Sequence, residues 1–426
     1  MPRTSTQPSY HGFFETVGCR YMLETVADVI PRFGFRIRAA AACEQGTRRD
    51  ILQDGFLIDA EHGAFAIADG MGGHQAGEIA SREALQEVRE AIASTASLNV
   101  ARRYFERPDL ASRRCVMDRL RRIVERAHEH VRQIAKDRHL LRDIGTTLEV
   151  LWLIREEVFL AHVGDSRAYV VRPAAVLQLT EDHTTPLNQT SDAAPVRHAI
   201  TSLVHAVGVG DSPRIDTVML DLRRGDRLLL ATDGVWASFE DEAALGRLGR
   251  AGDAREAANA LVTEAVRNGS ADDRTALVVE VLERFARQSN NDADAAVRDI
   301  TPVAECALFH HLSWAKILSA LSVAVHVEFE PGENVPHFAA GDRVAYVMLD
   351  GTVRTAQGRI LGSGATLFAE CLVGSEPASD DPRCEQRVRT LRIRRDDYHE
   401  ICDSDPRLAV ELYRRLAEHL GQRLGK

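Results

Sequence analysis

Four apolar, strand-like runs in this chain each meet a carboxylate at one end. "AFAIADGMGG" reaches Asp69, "VFLAHVGDSR" reaches Asp165, "RLLLATDGVW" reaches Asp233, and "GSADDRTALVV" sets Asp272 and Asp273 just before its strand. An Asp-Gly pair by itself most often marks a hairpin turn. Here "AGEIASREALQEVREAIAS", with apolar residues at helical spacing, follows the first pair, so a two-residue hairpin fits poorly. Acidic residues at the mouths of several strands can converge on one edge of a sheet. Converged carboxylates repel one another unless protons or cations intervene. An oxygen-only ligand set suits a hard divalent ion, Mg²⁺ or Mn²⁺, better than zinc. Gly70, Gly72 and Gly73 would let the backbone pass close to such an ion, and Gly70 could offer its carbonyl.

The pattern around these runs predicts an antiparallel α+β region. "FLIDAEHGAFAIAD" reads as two strands joined by a turn, and "DRLRRIVERAHEHVRQIA" as a second helix. The strands "TTLEVLWLI", "VFLAHV", "RAYVV" and "VLQLT" follow with short connections, which favours hairpins over a doubly wound sheet. "DRLLLAT" and "RTALVVEVLE" flank the amphipathic "AREAANALVTEAVRNG". Residues 1–37 have no assignable pattern. The expected divisions are 38–284, a polar linker at 285–302, and a second domain at 303–426. A length of 426 residues accommodates two domains. A net charge of -10 argues against a nucleic-acid protein that works through a basic face. Seven scattered cysteines without a C-x-x-C pair fit reduced thiols in the cytoplasm. No secretory leader is expected, and no apolar run of about 18 residues predicts a membrane span.

The motifs "DGMGG" (69–73), "GTT" (145–147), "VGDSRAY" (163–169), "LTEDHT" (179–184), "LLLATDGVW" (228–236) and "DDRT" (272–275) occur in one order. In that order the chain resembles the metal-dependent serine/threonine protein phosphatases of type 2C, with "DGMGG" in the bacterial form. The resemblance implies an antiparallel β-sandwich flanked by helices and a pair of Mn²⁺ or Mg²⁺ ions. It implies hydrolysis of phosphoserine and phosphothreonine by metal-activated water, on proteins modified by a cognate kinase. By position, Asp69, Asp233 and Asp272 would ligate the main ions, and Gly70 would add its carbonyl oxygen. Asp165 would serve a third, weaker ion. Arg49 would face the phosphate, and Asp69 and Asp233 would carry the chemistry.

Two positions depart from the family pattern. Gln53 stands where a glutamate is expected, beside a retained Asp54. It can still ligate through oxygen, but it brings no charge. Met71 occupies the place where many eukaryotic members have a histidine as candidate general acid. His74 and His183 stand in the motifs and read as structural. The 182–216 stretch corresponds to a substrate flap and departs from the family wording. Gln53 and the altered flap motivate a rival reading, a phosphoprotein-binding pseudophosphatase. A hydrolase of small phosphate esters is the other.

Residues 303–426 resemble a cyclic-nucleotide-binding domain in "LFHHLS", "FEPGENV", "AYVMLDGTV" and "LGSGATLFAE". The resemblance implies a small β-roll with a closing helix. Glu370 keeps the ribose-binding position. Ala369 replaces the cassette glycine, and Arg383 is the arginine available for a phosphate, beyond the acidic stretch "CLVGSEPASDDPR". That acidity opposes an anionic ligand, so the expectation is a degenerate roll that binds no cyclic nucleotide and serves sensing or docking. No helix-turn-helix follows, which disfavours a transcription-factor version. The closing "RLAVELYRRLAEHLGQRLG" carries an apolar stripe that would cover the roll and join a homodimer. The two phosphatase regions would then be held on linkers.

Overall fold

The computed structural model describes residues 21–25, 35–72, 76–139, 144–173, 175–186, 201–284, 302–375 and 381–424. Two antiparallel sheets form its first region. The strands of the first sheet are β1 (Tyr21–Thr25), β2 (Phe35–Glu44), β8 (Arg167–Arg172), β9 (Ala175–Gln178), β13 (Arg227–Ala231) and β14 (Arg274–Arg284). Their order across the sheet is β1-β2-β14-β13-β8-β9. The second sheet holds β3 (Asp54–Asp59), β4 (Ala64–Met71), β6 (Leu148–Ile154), β7 (Glu157–Val163) and β12 (Asp216–Asp221), in the order β12-β7-β6-β4-β3. The short β5 (Gly145–Thr146) pairs the end of β4, and β10 (Thr184–Pro186) pairs β11 (Thr201–Leu203). Strand pairing therefore starts inside the N-terminal stretch that has no legible sequence pattern.

Helices cover both outer faces. Beside the second sheet lie α1 (Ala76–Ala93), α2 (Thr95–Glu106) and α3 (Leu110–Asp137). Beyond the short α4 (Asp233–Trp236), α5 (Glu242–Gly249) and α6 (Ala254–Arg267) lie on the first sheet. Strand β6 is buried at every position. Its Leu151 and Leu153 enter the space between the sheets with Ile67, Leu160, Val170 and Leu228. Its Val150, Trp152 and Ile154 meet Val88, Leu120 and Val124 of the helices. A strand covered on both faces reads as a continuous apolar run, which is why "LEVLWLI" does not alternate. Helix α3 is longer than its sequence pattern suggested. Asp109 caps it, with its carboxylate accepting from the Ser112 N–H and the Ser112 hydroxyl bonding back to the Asp109 N–H.

In the second region a helical turn at 302–305 precedes α7 (Trp314–Leu321), which is capped by Ser313. Its main sheet is built on Val325–Phe329, Val388–Arg394 and Asp342–Asp350, followed by α8 (Arg395–Ser404) and α9 (Pro406–Leu424). Leu408, Leu412 and Leu416 of α9 are buried in this region's own core. The stripe is thus largely spent on covering the roll, and Val410 (69% exposed) and Tyr413 (37%) remain outside. The linker at 287–299 lies outside the described residues. The two regions are not held on linkers alone, however, because they pack together. Trp314 touches both cores, and Leu318 lies against the sandwich. Arg113 donates to the Ser322 carbonyl at 2.9 Å, and Arg114 bonds Asp397 at 2.9 Å.

Candidate active site

Asp69 lies near the end of β4, directly opposite Asp54 across the β3–β4 pair. Its N–H donates to the Thr147 hydroxyl and its carbonyl accepts from the Thr147 N–H, each at 2.9 Å. The "GTT" motif thereby fixes this backbone. Strand β13 ends at Ala231, and Thr232 opens α4, which begins with Asp233. The Thr232 hydroxyl donates to Asp54 at 2.9 Å, which ties that corner to β3. Two close approaches require glycine. A Cβ on Gly70 would stand 2.1 Å from the Gly77 carbonyl oxygen, and one on Gly234 would stand 1.8 Å from that of Asp273.

Several carboxylates resist ionisation in this setting. Burial, then Asp273, pushes Asp54 well up. Burial pushes Asp69 well up, with Asp54, Asp233, Asp165 and Asp272 all adding to the effect. Asp233 is raised by burial and then by Asp272. Asp165 is pushed to about 7 by burial, Asp233 and Asp182. The structure therefore brings Asp54, Asp69, Asp165, Asp233 and Asp272 into one electrostatic neighbourhood. One oxygen of Asp54 and one of Asp233 are buried with no hydrogen-bond partner. Among the described residues, no three His, Cys, Asp or Glu side chains form a finished metal cage. The donor chemistry still fits a hard cation, because unpartnered buried carboxylate oxygens that repel one another are what such a charge stabilises.

Gln53 is 2% exposed, and Arg49 reaches both its side-chain oxygen and the Gly72 carbonyl, the latter at 3.1 Å. Arg49 is thus beside the "DGMGG" loop. Arg48, which sequence reasoning passed over, donates to Asp272 at 2.7 Å. Asp273 was named with Asp272 at the mouth of its strand but given no role of its own. Its carboxylate accepts from the Gly46 and Gln53 N–H groups, each at 2.7 Å, and so holds the first motif against β14. The doubled acid in "DDRT" was the available signal. His183 is a positioning group here. Its Nδ1 accepts from the Gly164 N–H at 3.3 Å and its Nε2 lies 3.0 Å from Asp216. Gly73 and His74 lie outside the described residues, as does the flap at 187–200.

The cyclic-nucleotide positions have a different setting. Glu370 is buried in the short turn Ala369–Val373. Arg383 is exposed, and its Nε donates to the Gly332 carbonyl at 3.2 Å.

Residues 45–252 match the family model described as Protein phosphatase 2C. Asp272 lies beyond that stretch, on the approach to β14 of the same sandwich. The chain is 29% identical over 233 residues to serine/threonine phosphatase Stp of Listeria monocytogenes, covering 53% of this chain and 86% of the relative. It is 32% identical over 182 residues to protein phosphatase PhpP of Streptococcus pneumoniae, covering 40% and 65%. A solved catalytic domain of the serine/threonine phosphatase PstP, in complex with two manganese ions, is 25% identical with a TM-score of 0.47, covering 58% and 99%.

Proposed function

We propose that this chain is a serine/threonine phosphatase that removes phosphate from phosphoserine and phosphothreonine of a protein substrate, a reading supported by the match of residues 45–252 to the protein phosphatase 2C family model. Two Mn²⁺ or Mg²⁺ ions would be held by Asp54, Asp69, Asp233, Asp272 and the Gly70 carbonyl, with Gln53 beside them and Asp165 serving a third. When bound, such ions lower the pKa of a water and neutralise phosphoryl oxygens. The observation that carries the reading is the convergence of carboxylates around Asp69, two of them with a buried, unpartnered oxygen. Thr147 fixes the Asp69 backbone, and Thr232 donates to the Asp54 carboxylate. Arg49 and Arg48 supply positive charge on the flank where a phosphate would arrive.

A Ser/Thr kinase would supply the substrate. The region 303–426 is an interaction or sensory module, and Glu370 and Arg383 form no nucleotide site in this reading. Six described cysteines are unbonded, in keeping with a cytoplasmic setting. A homodimer through α9 would use Val410 and Tyr413, and light scattering reads it. The charge-free Gln53 favours one rival, a chain that binds phosphoproteins without turnover. Mn²⁺-dependent hydrolysis of a phosphopeptide by the full chain, abolished by a chelator, is the expected result. Tight phosphopeptide binding with no turnover at saturating Mn²⁺ would establish the rival. Faster turnover of small phosphate esters than of phosphopeptides would move the substrate class.

A further inference from the structure

A continuous series of polar contacts runs from the C-terminal region to the Asp165 corner. Ser313, at the start of α7, donates its hydroxyl to the Glu181 carboxylate. The Lys316 ammonium lies 3.3 Å from the same carboxylate and 2.7 Å from Glu411 of α9. The Glu181 carbonyl accepts from His162 Nε2 at 2.8 Å, so the backbone at this point is held from inside the sandwich as well. The next residue, Asp182, takes both forks of Arg167, at 2.9 and 2.8 Å. The Arg167 guanidinium lies 3.3 Å from the ring centre of Trp236. The Trp236 indole N–H donates to the Asp165 carbonyl at 2.9 Å. Trp236 also closes the helix that Asp233 opens.

We propose that Ser313 and Lys316 are positioning residues for the candidate active site. They clamp Glu181 and so keep the Arg167–Trp236 stack seated against Asp165. This deepens the phosphatase reading and rests on it for its functional meaning. The C-terminal region thus supports the metal-binding corner directly. Any partner that pulls α7 away from Glu181 would loosen that corner and lower its affinity for divalent ions. A bidentate arginine–carboxylate pair stacked on an aromatic face passes on such a displacement, because its planar geometry tolerates little rotation.

The chain has three tryptophans. Trp152 is buried in the helical-side core and Trp314 sits at the interface between the regions, so a Trp314→Phe background leaves Trp236 as the responsive fluorophore. In that full-length background, Ser313→Ala with Lys316→Ala should red-shift the metal-free emission. A Trp236→Phe control assigns the shifted component. Mn²⁺ binding measured by calorimetry should weaken about two- to five-fold, the scale of a part-exposed ion pair. Lys316→Arg should keep the parent emission. Glu181→Gln removes the charge from the other side and should reproduce both changes, and it decides the matter alone if the double variant fails to fold. Unchanged emission and unchanged Mn²⁺ affinity in variants that melt with the parent would overturn the proposal. A parent that hydrolyses no phosphopeptide would sink the activity reading, while the emission arm would still decide whether the clamp exists.

Discussion

The phosphatase region and the C-terminal region are both antiparallel sheets closed by helices, but they treat buried acid differently. In the C-terminal region, Asp342 accepts from the Asp396 N–H at 2.8 Å and Asp397 pairs with Arg114 and Arg394. Among the described residues, no buried carboxylate oxygen there lacks a hydrogen bond. In the phosphatase region, Asp54 and Asp233 each keep such an oxygen, and burial, followed by a neighbouring acid (Asp273 and Asp272 respectively), pushes their protonation equilibria up rather than down. Satisfied acid rigidifies a fold, whereas unsatisfied acid costs stability and persists where a ligand supplies the missing charge. That contrast, more than the shared strand content, separates the two regions.

The sharpest way to break the comparison is to neutralise one charged side chain in each region. Asp233→Asn should cut phosphopeptide turnover by about 100-fold or more, the scale of losing one transition-state stabiliser. Arg383→Ala, on the roll, should leave turnover unchanged. Full activity of Asp233→Asn at saturating Mn²⁺ would remove that residue from the site.

The next effect concerns pH. Burial holds His183 down to about 4, against the opposing pull of Asp216. The folded state then binds fewer protons than the unfolded chain, whose histidine titrates near its ordinary ~6.5. Stability from this residue is therefore present above about pH 6.5 and lost as pH falls toward 4. Relative to His183→Gln, the parent should lose about 2 kcal/mol between about pH 7 and 5 in urea unfolding. An identical pH slope in the two proteins would contradict the buried neutral imidazole.

A smaller change should come from Gln53→Glu. Placing charge beside Asp54 adds attraction to a bound cation, and the half-saturating Mn²⁺ concentration should fall by about tenfold at an interior effective dielectric. A rise would mean that Gln53 does not face the ion. Smallest of all, Arg114→Ala should cost about 1 kcal/mol or less, because Arg114 is itself part-exposed, Glu400 is exposed, and the buried Asp397 keeps Arg394 as a second partner. A larger loss would show the regions to be more tightly coupled than their surface charges suggest.

The carboxylate edge was legible because apolar runs and Asp-Gly pairs are local signals, and β3, β4, β13 and β14 follow them closely. Partners were not legible. Nothing near Arg48 in sequence names Asp272, and nothing near Trp236 names Asp165, since each contact depends on which strands become neighbours. Helix α2 escaped notice because only Ser97, Ala101 and Tyr104 are buried along it, too few to give an apolar stripe. In "SWAKILSALSVA" the local sequence reads as a short helical piece, which is realised as α7. It could not show that Trp314 would leave its own roll to touch a second core.

That last contact bears on how the protein can be handled. Leu318 and Trp314 lie against the same core as Leu179, Val218 and Leu220, beside the outer strands β9 and β12. Cutting the chain before α7 would bare this apolar surface to water, at about 25 cal/mol for each Å² uncovered. A shortened enzyme would carry a sticky patch along β9 and β12, the kind that drives proteins to aggregate or to seize foreign surfaces. The roll is therefore also a built-in solubility cover, and the two regions are best produced, stored and assayed as one piece.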